Sequence, residues 1–203
     1  MGVAGTMGSV AGLTLITPRL SAEQRDRATV RLRQEQARAQ RLAAQKRWQP
    51  KQGMTLQARA ALRGRALAHR DQLRAQGKLL DTWDTLMTHA VRLELADRAW
   101  DVDWPPLPPD APHASRWPGS RERGWQAKIN ARIPVSSYEQ VQGGCYWTSA
   151  EAINAIRAWR DDHPDVVTEM DHPEAWARYE ELALQVTTPG MVWRAAIDRV
   201  AGT

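Results

Sequence analysis

The sequence has little cysteine and no long apolar run. Cys145 is the only cysteine among 203 residues, which excludes an internal disulfide and a cysteine-based zinc cluster and favours a reducing cytoplasm. No apolar stretch approaches the roughly 20 residues that a membrane-spanning helix needs, so we expect no membrane partner. Residues 1–17 lack the Lys or Arg with which a secretory signal begins, so we expect residues 1–18 to form a flexible tail.

Carboxylates are scarce in one part of the chain and concentrated in the other. Residues 19–78 hold 16 Lys or Arg and 4 Asp or Glu, a formal charge of +12, whereas residues 79–203 hold 12 and 19, a formal charge of −7. The absence of Phe and the scarcity of Lys and Asn are typical of a GC-rich genome. That bias explains a preference for Arg over Lys but not the missing carboxylates. Nine of the ten Trp lie in the second part, so we expect the two parts to have different roles.

Helical periodicity and the placement of Pro and Gly predict an all-α fold. We expect a basic N-terminal helical hairpin, or two extended helices, followed by a small Trp-rich helical bundle. The predicted organisation is a flexible tail at 1–18, a basic helical region at 19–78, a core helix within 79–100, a Pro/Trp-rich linker at 101–119 and an acidic helical domain at 120–203.

The first basic helix is predicted over residues 22–48, because Ser21 and Gln24 form a capping-box pattern and no Pro or Gly follows. A thin apolar stripe has helical spacing and is too sparse for deep burial: Ala28, Leu32, Ala39 and Leu42. Four arginines are expected on the opposite face: Arg27, Arg31, Arg38 and Arg41.

A turn signal at Pro50–Gly53 separates this helix from a second one, which Thr55 is predicted to cap. Four arginines recur in the second helix at spacings of 4, 7 and 4: Arg59, Arg63, Arg70 and Arg74. Leu62, Ala66 and Leu73 flank them, so an antiparallel helix pair could bury both apolar stripes and leave two basic faces exposed.

Further helix starts are predicted where a capping residue or an N-terminal proline precedes an apolar periodic segment. These starts are Asp81 for the core helix, Thr148 with Glu151, Asp171 with Pro173, and Thr188 with Pro189. In the linker, Pro105–Pro109 fits a polyproline II spacer or a docking peptide. Trp104 and Trp117 indicate that the linker packs back on the domain.

The two rows of arginines give the strongest functional signal. Guanidinium groups bind phosphate oxygens at two points and displace counterions from nucleic acid. Arginines at i, i+4, i+7 and i+11 share one side of a helix and can follow a phosphate backbone. We therefore expect a non-enzymatic protein that binds DNA or RNA through phosphate contacts, with a C-terminal helical domain for protein interaction or oligomerisation. The alternative is an assembly adaptor whose basic helices bind acidic protein surfaces.

A third possibility comes from the segment 142–150, in which Gly143 and Gly144 precede Cys145 and Trp147 follows. It resembles the nucleophile segment of papain-like and CHAP-type cysteine hydrolases, where a glycine-flanked Cys beside a Trp opens a helix. The resemblance covers about ten residues and implies a thiolate nucleophile at Cys145, stabilised by the helix dipole. Those families carry their catalytic His on a downstream strand, whereas the histidines that follow here both precede proline.

Two Asp-His-Pro-acid patterns lie nine residues apart, at Asp162 and Asp171. Carboxylates and imidazoles are common ligands of metal ions. Two helix starts explain the same spacing, because Asp before an X-Pro step often begins a helix. We therefore predict no metal, no cofactor and no catalytic residue.

Overall fold

The computed structural model describes residues 12–43, 55–112, 117–118, 125–168 and 170–201. These residues are mostly helical, and the predicted all-α class is confirmed, with four short strands in addition. In chain order the elements are β1 (Leu13–Ile16), β2 (Arg19–Leu20), α1 (Ala22–Ala43), α2 (Leu56–Ala75), α3 (Trp83–Asp97), β3 (Ala127–Lys128), β4 (Ala131–Pro134), α4 (Val135–Asp162), α5 (Pro173–Ala183) and α6 (Pro189–Ala201). No helix within the described ranges is long and apolar enough to cross a membrane.

Two antiparallel strand pairs, which the sequence did not predict, tie the start of the chain to the segment before α4. β1 pairs with β4 and β2 pairs with β3. Ile16 and Leu20 are buried on these strands. The prediction of a flexible tail is therefore wrong for Leu13–Ile16, because ladder hydrogen bonds and the burial of Ile16 offset the entropy of ordering the chain.

α1 begins where the capping box places it. The Gln24 backbone N–H donates to Ser21 Oγ at 3.1 Å, and the Ser21 backbone N–H donates to Gln24 Oε1 at 3.2 Å. Ala28 and Leu32 are buried, and α1 packs on α6. The prediction that this stripe is too sparse for deep burial is wrong, because α6 supplies the apolar surface that covers it. The rest of the predicted helix, 44–48, lies outside the described residues.

α2 is capped by Thr55 as predicted, since the Ala58 backbone N–H donates to Thr55 Oγ1 at 3.2 Å. The turn predicted at Pro50–Gly53 lies outside the described residues. α2 adjoins the C-terminal end of α1 across an apolar cavity of about 100 Å³, lined by Ala39, Leu42, Ala66 and Leu73 among others. No residue of α2 is buried. The predicted joint burial of the two stripes is therefore wrong on the α2 side, where the apolar side chains are half-buried at most or exposed.

α3 belongs to the core as predicted, but its cap is Thr82 and not Asp81. The Thr85 backbone N–H donates to Thr82 Oγ1, and the Thr82 backbone N–H donates to Thr85 Oγ1, each at 3.1 Å. The Asp81 carboxylate instead accepts hydrogen bonds from Arg74. Asp81 therefore does not cap α3, because its carboxylate binds the Arg74 guanidinium of α2.

α6 begins at Pro189 as predicted, and Thr188 Oγ1 accepts a hydrogen bond from the Met191 backbone N–H at 3.3 Å. α6 packs on α1, α3 and α4, and its buried residues are Pro189, Val192, Trp193, Ala196, Ile197 and Val200. A polar contact adds to this packing, because Arg199 Nε donates at 3.0 Å to the buried carboxylate of Glu94 on α3. The hydrogen bond to Glu94 raises the pKa of the Arg199 guanidinium.

The proline-rich segment packs against α4, as its tryptophans predict. Trp117 is buried, and Trp147 Nε1 donates to the Pro105 carbonyl at 2.9 Å. A Cβ atom added at Gly143 would lie 2.6 Å from the Trp104 side chain, and Trp100 packs just as closely on the neighbouring glycine. Glycine is needed here because two large indoles approach the helix backbone.

α4 is a single helix of 28 residues that runs through the segment where a start was predicted. Inside it, the Thr148 hydroxyl donates to the Gly144 carbonyl at 2.6 Å. The predicted start at Thr148 with Glu151 is therefore wrong. Two adjacent glycines weaken a helix, but the indoles that cover them make them part of the core.

Replacing Gly143 by Ala is expected to lower the free energy of unfolding by about 1–3 kcal/mol, because the added methyl would overlap Trp104. Gly64→Ala is the matched control, since a Cβ there meets nothing within 4 Å. In the helix interior that change should raise stability by about 0.5–1 kcal/mol. Urea denaturation followed by circular dichroism measures both. Stabilisation of similar size by both variants would contradict the tryptophan contact at α4.

Candidate nucleic-acid interface

The α1 arginines lie beside the buried stripe of the helix and not opposite to it. The Arg27 guanidinium donates at 2.9 Å to Asp198 on α6, and the Gln24 side chain donates to the same carboxylate at 2.6 Å. Arg27 thus binds an acidic residue of the second part of the chain. The prediction of an opposite, fully exposed basic face is wrong here, because one flank of α1 borders α6.

Arg31 and Arg38 share the carboxylate of Glu35, at 3.2 Å and 3.6 Å. Glu35 is buried, which lowers the local dielectric constant and strengthens its attraction for both guanidinium groups. Arg41 is exposed and has no carboxylate within salt-bridge distance in the described part of the chain. Its Nε donates to the Ala37 carbonyl at 3.4 Å.

Arg74 on α2 forms a two-point contact with Asp81. Its Nε and Nη2 donate to the two carboxylate oxygens, each at 2.7 Å. Asp81 is buried, and the hydrogen bond to it raises the pKa of the Arg74 guanidinium. This contact fixes the end of α2 to the residue that precedes α3, so Arg74 has a structural role.

The other arginines of the α2 row are more accessible. Arg59 and Arg63 are exposed, and no carboxylate of the described residues lies within 4 Å of them. Arg70 is half-buried, and its Nε has no hydrogen-bond partner within the part of the chain that the structure describes. Arg63 and Arg70 line the cavity between α1 and α2, which brings this part of the row close to the end of α1.

Seven of the eight predicted residues therefore fall into two groups with different partners, and the half-buried Arg70 belongs to neither. The paired arginines bind carboxylates of the same chain: Arg27, Arg31, Arg38 and Arg74. The open arginines are exposed and have no carboxylate partner in the described ranges: Arg41, Arg59 and Arg63. Sequence reasoning missed Arg33 and Arg65, which are also exposed on α1 and α2, because they lie off the two rows.

Cys145 lies inside α4 and is fully buried. Burial raises the pKa of its thiol well above the ordinary value, so the thiolate is disfavoured at neutral pH. The expectation that this cysteine opens a helix is wrong, since α4 starts ten residues earlier, at Val135. The glycines that suggested a nucleophile segment instead accommodate tryptophans.

The two Asp-His-Pro patterns lie at different ends of helices. The first ends α4, where His163 stacks on Trp159 with ring centroids 4.9 Å apart, so the predicted helix start is wrong at this position. The second precedes α5, which Pro173 opens as predicted. Within the described ranges, no three His, Cys, Asp or Glu side chains are placed to hold a metal ion.

His172 caps α5 in place of the predicted Asp171. The Ala175 backbone N–H donates to His172 Nδ1 at 3.4 Å. Asp171 accepts backbone N–H bonds from residues 167–168, and the bond from Thr168 contributes most to lowering the pKa of its carboxyl group. Both acidic patterns thus serve the connection between α4 and α5.

Comparison with known proteins identifies no relative of this chain. No family model, no curated protein and no solved structure matches the chain. The contacts of α1 and α2 are therefore the basis on which a function is assigned.

Arg74→Gln is expected to lower the free energy of unfolding by about 2 kcal/mol, because it removes a two-point charged hydrogen bond and leaves the Asp81 carboxylate buried. Arg59→Gln on the same helix should change stability by less than about 0.5 kcal/mol. Urea denaturation of the two variants measures the difference. Equal effects would show that Arg74 is no more structural than Arg59.

Proposed function

We propose that the protein binds nucleic acid, without catalysis, through phosphate contacts from the open arginines of α1 and α2, in a reducing cytoplasm. The observation that carries this proposal is the incomplete pairing of the basic helices. Contacts within the chain neutralise the paired arginines, yet Arg41, Arg59 and Arg63 remain exposed without a carboxylate partner in the described ranges. A concentration of like charge destabilises the folded chain through repulsion. Binding of a polyanion would neutralise that charge, which explains why the exposed arginines are present.

The position of α2 favours contact with an extended partner. α2 has no buried residue and is fixed at its end by the Arg74–Asp81 pair. Arg59 and Arg63 are one turn apart, about 6 Å along the helix axis, which corresponds to about two nucleotides of a B-DNA strand. Two guanidinium groups at this spacing can each bind a separate phosphate.

Contacts to phosphate carry no direct sequence information. The three open arginines are long side chains at an exposed surface, and nothing in their setting orients them toward base edges. We therefore propose binding with similar affinity for different sequences, on DNA or on RNA.

The second candidate is an assembly adaptor. Arg27 and Arg74 bind Asp198 and Asp81 of the same chain, so arginines of these helices have carboxylate partners within the chain, which supports a carboxylate-bearing partner as well. Large apolar side chains are also exposed around α5: Val167 at 65%, Met170 at 88% and Leu184 at 85%. Val167 and Met170 precede α5 and Leu184 follows it, so exposed apolar groups are present at both ends of this helix, which supports protein interaction or oligomerisation through the C-terminal part.

The test uses the full chain and fluorescence anisotropy of labelled 20-nucleotide single strands and duplexes of DNA and RNA. Substituting the three open arginines by Gln should weaken binding about tenfold or more at low salt, because each substitution removes about one phosphate contact. A matched control replaces Arg92, Arg132 and Arg160 by Gln. These are exposed, lie outside α1 and α2 and have no salt bridge among the described residues, so this triple variant should bind within about twofold of the unmodified chain.

Equal losses in the two triple variants would show that general positive charge, and not the α1–α2 surface, causes binding. Poly-glutamate as a competitor separates the two candidates. An interaction with poly-glutamate in the absence of any interaction with the oligonucleotides would replace the nucleic-acid proposal by the adaptor.

A further inference from the structure

A second candidate site lies away from the arginine rows. A cavity of about 460 Å³ is bounded by β1 and β2, the first turns of α4 and the start of α6. Four aromatic side chains line it: Trp117, Trp125, Tyr138 and Trp193. The volume falls in the range of about 300–1,000 Å³ that is usual for small-molecule sites. None of the eight arginines discussed above borders it, so the site does not depend on the proposed function.

The aromatic walls are held in place by the fold. Trp117 and Trp193 are buried in the core. Trp125 is half-buried, and the Arg194 guanidinium lies over its ring, with 4.2 Å between the guanidinium carbon and the ring centroid. Rigid indole faces around a cavity favour a planar ligand, because stacking then costs little side-chain entropy.

A buried polar side chain also borders the cavity. Gln142 is 6% exposed and lies on the wall of the cavity, and its carboxamide is not hydrogen-bonded to any of the described residues. Buried amides are nearly always hydrogen-bonded. A carboxamide offers a donor and an acceptor side by side, which matches the edge of a nucleobase.

The indoles add two more unsatisfied donors on the same wall. Nε1 of Trp117 and Nε1 of Trp125 are buried without an acceptor among the described residues, although both residues line the cavity. Unsatisfied buried donors are costly. Because these two nitrogens are closed off from the cavity by neighbouring atoms, the Gln142 carboxamide remains the polar group on this wall that pairs with a ligand.

The far wall of the cavity suits an anion. Arg19 and Arg194 line it together with Thr188, Pro189 and Gly190 at the first turn of α6. At the N-terminus of α6 Pro189 has no N–H and the Met191 N–H is bonded to Thr188 Oγ1, so the partial positive charge of the helix and the Gly190 N–H are what it offers to a phosphate oxygen. Gly190 has no Cβ, and one added there would lie 3.3 Å from the Arg194 guanidinium, so the glycine leaves room beside the cation.

We propose that this cavity binds a mononucleotide. The base stacks among the tryptophans, the Gln142 carboxamide pairs with the edge of the base, and the phosphate lies at the α6 N-terminus between Arg19 and Arg194. A base alone would leave the cationic wall unused, and a free phosphate would leave the aromatic walls unused. A ligand that carries both a base and a phosphate therefore accounts for the aromatic and the cationic walls of the cavity, which neither group alone does.

Isothermal titration calorimetry of the full chain tests this with adenosine 5′-monophosphate, adenosine and inorganic phosphate as separate probes. The monophosphate should bind at least about tenfold more tightly than either fragment. Arg19→Gln and Gln142→Leu should each weaken its binding about tenfold, because each removes a hydrogen bond to the ligand. The matched control is Arg132→Gln, an exposed arginine on the neighbouring β4 strand, which should leave the affinity unchanged.

The triple substitution of the open arginines should also leave nucleotide binding unchanged, which separates this proposal from the nucleic-acid interface. No binding of the monophosphate by chain with a native circular dichroism spectrum would overturn the proposal. Equal affinity for inorganic phosphate and the monophosphate would overturn it as well, since that result describes an anion site without a place for the base. An equal loss of affinity for the monophosphate in the Arg19→Gln and Arg132→Gln variants would exclude this cavity as the binding site.

Discussion

The burial of α6 against α1, α3 and α4 is the interaction on which the other features depend. Val192, Ala196 and Ile197 are inaccessible to solvent, and apolar burial of this kind is the main favourable term in folding. Because α1 covers one side of α6, a basic helix becomes part of the acidic domain. The strongly charged first part is therefore not an independent appendage, and the geometry of its arginines is set by the core.

That packing divides the arginines by position. Where α1 borders α6, Arg27 meets Asp198, and where α2 approaches α3, Arg74 meets the buried Asp81. The residues farther from these borders, Arg59 and Arg63, stay in solvent. The formal charge of +12 for residues 19–78 thus overstates the positive charge that is available to a partner, because Asp81 and Asp198, which lie outside this range, neutralise Arg74 and Arg27.

Local signals in the sequence predicted local structure well. The capping box at Ser21, the cap at Thr55 and the starts at Pro173 and Pro189 are confirmed, since each depends on residues within one turn. The strand pairs were not predicted, because β1 and β4 are more than a hundred residues apart and only the folded chain brings them together. The helix start expected at Thr148 was wrong for a related reason, because Gly143 and Gly144 lie against tryptophans of a distant segment.

The candidate site was predictable to the extent that it follows helical spacing. The sequence did not predict which arginines bind carboxylates, because Asp198 and Asp81 reach Arg27 and Arg74 only through tertiary packing. The aromatic cavity drew no prediction, because its walls come from β1, α4 and α6. The signal that could have indicated it was the concentration of tryptophans in a chain without phenylalanine.

The central claim is that the open arginines, and not the paired ones, meet phosphate. The salt dependence of affinity for a duplex tests it most directly, because the slope of log K against log salt counts phosphate contacts. The account predicts that substitution of Arg41, Arg59 and Arg63 by Gln reduces the slope by about one for each arginine, whereas substitution of Arg27 leaves it unchanged. A slope that falls equally for Arg27→Gln and for each open arginine would contradict the account.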